Sequence, residues 1–346
     1  MPDFDEYKRQ GELERAEKAG IWQTAIGLQQ VDGLVPSAYL YEAARENIEG
    51  KITLEEVQER LNEYYVAEPM RASERAEEAD KVSARIAVLL SEKTFTFSPA
   101  EYITIHKRLF SGLYKFAGEI RDWNITKAEW VLDGQTVFYA SADSIRATLD
   151  YDFARERAFS YKGLSPMQVV EHFAAFISSL WQIHAFGEGN TRTTAVFAIK
   201  HLRTIGFDVT NDLFAENSWY FRNALVRANY NDYKNGIHST PEYLNRFFEN
   251  LILGTKHQLK NRELHIATAN EDNGTVNALA GMVNGTVFSF IQENPHYTAE
   301  QLATALGKSV RTVRREIKRL KETGCIVREG SDKRGFWKVL RDAGLK

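Results

Sequence analysis

Nine consecutive residues bring together side chains rarely found side by side: His184, Phe186, Gly187, Glu188, Gly189, Asn190, Thr191 and Arg192, with Ala185 after the histidine. A histidine titrates near neutrality and is suited to accept a proton from an attacking hydroxyl. A carboxylate at Glu188 can hold Mg²⁺ against phosphate oxygens, and the guanidinium of Arg192 can clamp the same oxygens with its fork of donors. Gly187 and Gly189 let a backbone approach an anion closely. The chemistry these types suggest together is transfer of a phosphate-containing group.

Two apolar helices must position this stretch. Ser165-Pro166-Met167-Gln168 is a helix start, with serine as cap, proline at the first helical position and glutamine closing the box. Val169, Val170, Phe173, Phe176, Ile177, Leu180 and Trp181 then cover more than one face, the pattern of a buried helix running toward His184. A second helix begins near Thr191 and continues through Val196, Phe197, Ile199 and Leu202 to Gly206. The loop therefore opens onto a helix N-terminus, whose unpaired N–H groups and positive dipole end favour an anion.

These residues resemble the Fic family, whose motif reads H-x-F-x-[DE]-G-N-G-R-x-x-R. His184, Phe186, Glu188, Gly189, Asn190 and Arg192 match it. The likeness extends upstream to Ile105–Phe110 and Ala117–Arg121, which look like the family's early helix, and covers about residues 78–254. It implies transfer of AMP from ATP to a hydroxyl side chain of a target protein. His184 would be the general base, Glu188 the magnesium carboxylate, and Gly187, Gly189, Asn190, Thr191 and Arg192 the phosphate cradle. Two positions depart: Thr191 replaces a glycine, and Ala195 stands where the final arginine belongs. Those departures keep open a different reaction on the same fold, such as removal of AMP or transfer from another nucleotide or phosphate donor.

Trp130-Val131-Leu132 and Thr136-Val137-Phe138-Tyr139 are β-prone runs flanking Asp133-Gly134, a pair that tolerates the positive φ of a tight turn, so a β-hairpin is predicted. It falls where the family keeps its target-positioning flap. By that resemblance Val131, Leu132, Val137, Phe138 and Tyr139 would pair with an extended target segment by strand addition.

The chain is predicted to be mainly α, with four parts: helices over 1–70, the Fic-type core over 78–254, a linker region over 255–283, and a winged helix-turn-helix over 284–346. Thr53-Leu54-Glu55-Glu56 is a capping box in the first part. Residues 20–66 resemble the antitoxin-like domain that inhibits some family members. The best fit to the inhibitory motif is Leu28–Gly33, with Asp32 at the glutamate position. The arginine that Asp32 should meet is replaced by Ala195, so the reading expects no ordinary salt bridge. Asp32-Gly33 is equally a turn.

Beyond Tyr297 there are about thirteen Lys or Arg against about six Asp or Glu, while the whole chain has a formal net charge of −3. Thr298–Gln301 caps one helix there, a basic helix follows Ser309, and two β-prone runs flank Lys333-Arg334. The order resembles a winged helix-turn-helix, with Arg311, Thr312, Arg314, Arg315 and Lys318 on the recognition helix and Lys333 and Arg334 at the wing tip. DNA is thus a candidate partner beside the target protein, and protein docking or homodimerisation is an alternative use of the fold. A nucleotide-sensing regulator without transferase activity is the non-enzymatic reading.

No window offers the roughly 18 apolar residues of a membrane span. The acidic start is unlike a signal peptide, and one cysteine, Cys325, supports neither disulfides nor a zinc cluster. A cytoplasmic, water-soluble protein without membrane partners is expected, using ATP and Mg²⁺.

Overall fold

The computed structural model describes residues 4, 13–67, 75–207, 209, 212–266, 287, 291, 297–305, 310–322, 326–329 and 336–340. The chain divides into two compact units, Met1–Ala269 and Asn270–Lys346. The protein is mostly helical, and among the described residues the only sheet is a two-stranded ribbon in the second unit.

The first unit runs α1 (Leu13–Gly27), a 3₁₀ turn (Leu28–Asp32), α2 (Ala38–Ile48), α3 (Leu54–Ala67), α4 (Ala76–Ser91) and α5 (Pro99–Phe110). It continues with α6 (Ile145–Ala158), α7 (Pro166–Ile183), α8 (Asn190–Thr204), α9 (Asp212–Ala228), α10 (Glu242–Phe248) and the short α11 (Asn261–Leu264). Helix starts follow their caps. Ser165 and Gln168 exchange both bonds of a capping box, and Thr53 does the same with Glu56.

α7 and α8 are the centre of this unit. Ten of the eighteen residues of α7 are buried, and in α8 every residue from Asn190 to Leu202 is. α8 is enclosed by α5, α4, α7 and the 3₁₀ turn. The N-terminal helices are part of the same hydrophobic core: Trp22, Ile26 and Leu28 are continuous with Phe186 and Phe197. At Gly27 the backbones meet. A Cβ there would lie 2.4 Å from the Ala215 backbone, so glycine is what lets the entry to the 3₁₀ turn lie against α9.

The predicted hairpin is not built as a ribbon. Asp133 and Gly134 do take positive φ, 54° and 82°. The flanks, however, form no strand ladder. Trp130–Leu132 winds into a 3₁₀ turn, and residues 135–140 belong to no strand. Burial is the reason: Val131, Leu132 and Val137 all enter the core rather than alternating across a sheet, whereas Phe138, 80% exposed, faces solvent. Similarly, Ile105–Phe110 belongs to α5, but Ala117–Arg121 follows it outside any helix.

In the second unit α12 (Ala299–Ala305) and α13 (Val310–Glu322) precede antiparallel β1 (Ile326–Glu329) and β2 (Phe336–Val339), with Ile326 opposite Val339. Thr298 and Gln301 form the expected cap. Val287, Leu302, Val313, Ile317, Leu320, Ile326 and Trp337 make a separate small core. Ser309, Cys325, Lys333, Arg334 and the linker stretch 267–274 lie outside the described residues.

Candidate active site

α7 ends at His184, which takes a left-handed conformation, φ 49° and ψ 56°, sparsely populated for a side chain with a Cβ. Arg121 holds that turn. Its Nε donates to the His184 carbonyl at 2.7 Å, its guanidinium also reaches the carbonyls of Trp123, Ala140 and Ile183, and its backbone N–H donates to Ala185. A buried cation at a helix C-terminus suits the negative dipole end there.

The His184 ring is buried, and neither Nδ1 nor Nε2 has a hydrogen-bond partner. The Tyr139 ring lies over it with centroids 4.1 Å apart, and Trp181 meets it edge-on. Burial, reinforced by the charges of Lys127 and Arg222, holds the imidazole pKa well below its ordinary value. His184 is therefore a neutral base at pH 7, and its unpaired nitrogens are the polar atoms a reacting group would meet.

The loop is tied from within. Asn190 donates to the Phe186 carbonyl at 2.7 Å and accepts from the Phe186 N–H at 3.0 Å, so its side chain closes the turn. Thr191 accepts from the Trp181 indole at 3.0 Å, giving the hydroxyl that replaces glycine a structural partner. Phe186 is buried and stacked on His106, with centroids 3.8 Å apart. His106 in turn accepts from the Gly118 N–H at Nδ1 and meets the Glu188 carbonyl through Nε2. Gly189 takes φ 77°, and a Cβ there would stand 2.4 Å from the Phe110 ring, so two separate demands require glycine.

Glu188 accepts the Gly189 N–H and faces the Lys127 ammonium at 3.1 and 3.2 Å, one contact to each oxygen. A carboxylate that already carries a cation is chemically suited to Mg²⁺, which is commonly held by one or two carboxylates together with substrate phosphates. Among the described residues no group of three or more metal-type side chains converges.

Arg192 does not face the loop opening. Its side chain is fully buried, with Nε 2.8 Å from Asp32, Nη2 2.7 Å from Glu78 and Nη1 3.2 Å from Gln29, and its cation lies over the Phe110 ring at 4.8 Å. Asp32 has no final motif arginine to meet, as Ala195 implied, but the 3₁₀ turn carries it to another one, Arg192, three residues earlier. Gly33 meanwhile makes the turn at φ 67°. The Nε contact is an ion pair without hydrogen-bond alignment. Burial pushes the Asp32 carboxyl up, but Arg192 and Lys127 outweigh it and hold the pKa below its ordinary value. Arg192 itself is held charged by Asp32, Tyr114 and Glu78 against burial.

Several residues at this site escaped sequence reasoning. Glu78, Arg121, Lys127 and Arg222 have no spacing relation to the loop, and Arg222 bonds buried Glu129 at 2.9 and 3.1 Å, close to Tyr139. Of the expected flap residues, Tyr139 covers His184 and Phe138 is exposed, while Val131, Leu132 and Val137 are core. In the second unit Arg311, Arg314, Arg315 and Lys318 are exposed on α13 and Thr312 is half-buried, with Arg314 paired to Glu300 at 2.6 Å.

Comparison with known proteins gives two matched domains: the Fic/DOC family over residues 96–202 and an HTH domain over 287–335. Among solved structures, the N-terminal FIC domain of the VirB-translocated effector Bep8 from Bartonella sp. 1-1C is 20% identical with TM-score 0.41, covering 51% of this chain and 82% of that one. The BepC effector of Bartonella tribocorum, solved with bound AMPPNP, is 20% identical with TM-score 0.38 over 57% and 86%. A Fic family protein from Desulfovibrio desulfuricans G20 is 14% identical with TM-score 0.36 over 92% and 97%. No curated protein matches the chain significantly.

Proposed function

Since the chain carries a Fic/DOC family domain at residues 96–202 and an HTH domain at residues 287–335, we propose that it is a protein adenylyltransferase, moving AMP from ATP to a hydroxyl side chain of a target protein. The observation that carries this reading is the imidazole of His184: neutral, buried, with both nitrogens unpaired, on a loop that opens onto the N-terminus of α8. His184 takes the proton of the target hydroxyl while that oxygen attacks the α-phosphorus of ATP. The P–O bond to pyrophosphate breaks, and pyrophosphate leaves with the electron pair. The α8 N-terminus favours the phosphate charge. Glu188 would hold Mg²⁺, whose charge would stabilise the departing pyrophosphate.

The enzyme is self-regulated in this reading. Tyr139 covers His184, and Arg192 is committed to Asp32 and Glu78. Both arrangements describe a resting form, from which Tyr139 withdraws and Arg192 is released for phosphate. The HTH domain binds DNA through α13, whose exposed Arg311, Arg315 and Lys318 meet the phosphate backbone.

Incubation of the full-length protein with α-labelled ATP, Mg²⁺ and cell lysate tests the chemistry. Label is expected on protein, and His184→Ala is expected to lower it at least about 100-fold, the usual worth of a general base. Label that survives the substitution would sink the mechanism.

A further inference from the structure

The cations around the loop are each engaged, but not equally firmly. Arg192 is enclosed by Asp32, Glu78, Gln29 and the Tyr114 hydroxyl, Arg222 sits on wholly buried Glu129, and Arg121 spends its donors on four side-chain contacts to carbonyls. The next turn of α8 offers only Thr193, Thr194 and Ala195, uncharged and buried. Lys127 differs from all of these. Its side chain is 23% exposed and that of Glu188 34% exposed. A pair partly open to water in this way contributes little net stability, so exchanging partners costs little. Its partner is, moreover, a carboxylate that a divalent cation can take over.

Lys127 is also anchored where it must be. Its backbone N–H donates to Thr136 Oγ1 at 3.1 Å, three residues before Tyr139, whose ring lies over His184. Lys127 thus joins the covering segment to the loop, its ammonium a point charge on a flexible stem.

We infer that Lys127 is the cation that receives the outer phosphates of the nucleotide, released from Glu188 when a metal ion binds that carboxylate. This role rests on the adenylyltransferase reading above and deepens it: the preferred ligand is a nucleoside triphosphate, and metal and nucleotide binding are coupled through one ion pair. Lys127 supplies charge that α8 lacks beyond Arg192.

Calorimetric titration of ATP and AMP, with and without Mg²⁺, tests it on the full-length chain and on Asp32→Asn. In either background Lys127→Ala should weaken ATP binding by about tenfold or more while changing AMP binding less than about twofold, and Lys127→Arg should restore most of the loss. Glu188→Gln, which frees the ammonium, should tighten metal-free ATP binding, and adding Lys127→Ala should erase that gain. Equal losses for ATP and AMP, or a Glu188→Gln gain that persists without Lys127, would overturn the assignment. ATP binding indifferent to Lys127 overturns it alone, whereas no ATP binding by either background overturns the adenylyltransferase reading with it.

Discussion

At the scale of single residues, the site is governed by who neutralises whom. Arg192 has two carboxylates, Asp32 and Glu78, inside the core. Removing one partner of a buried pair usually costs several kcal/mol because a charge is left uncompensated. Here Glu78 remains, so the cost of Asp32→Asn is expected to be smaller, about 1–3 kcal/mol, the range for leaving one buried polar group without its partner. The same change loosens the grip on Arg192. Asp32→Asn should therefore lower the melting temperature while raising incorporation of labelled AMP at least about threefold, since 1 kcal/mol is worth about a factor of five in an equilibrium. A destabilised variant with unchanged or lower labelling would show that Asp32 is purely structural.

Elements matter because the loop, closed on itself by Asn190, is also braced from outside. α5 supplies His106, which stacks on Phe186 and uses both ring nitrogens, one toward Gly118 and one toward Glu188. That pattern needs the neutral ring. Burial, with Arg192 nearby, lowers the His106 pKa to about 4, from an ordinary 6.5. The unfolded chain then binds a proton between these values that the native state refuses, so the contribution is complete above pH 6.5 and is lost as pH falls toward 4. From pH 7 to pH 5 it amounts to about 2 kcal/mol. Thermal melts of wild type and His106→Phe over this range should show a steeper acid loss in wild type. Parallel curves would mean that His106 is charged or solvent-accessible in the native protein.

For the molecule as a whole, two units have separate cores, and each is expected to do its own task. Exposed cations on α13 should bind duplex DNA with strong salt dependence, since each phosphate contact contributes a slope of about −0.9 in log K against log salt. Arg315→Ala is expected to weaken binding across sequences and to reduce that slope by about 1, leaving AMP labelling unchanged. Fluorescence anisotropy at several salt concentrations measures it. Binding that is absent at low salt would refute the DNA-binding role.

What the sequence determined by itself was whatever depends on neighbours along the chain. The capping boxes at Thr53, Ser165 and Thr298, the apolar faces of α7 and α8, the positive φ at Asp133-Gly134, and the nine-residue loop all follow from local spacing. Only the tertiary structure decided what those elements meet. The covering segment was expected as a β-ribbon but winds through a 3₁₀ turn, because burying Val131, Leu132 and Val137 together outweighs strand alternation. Arg192 was expected on phosphate, yet α8 is enclosed on all sides and turns that guanidinium toward Asp32 and Glu78, 160 and 114 residues away in the chain. Charge pairing over such separations is set by how helices pack, and no local pattern records it.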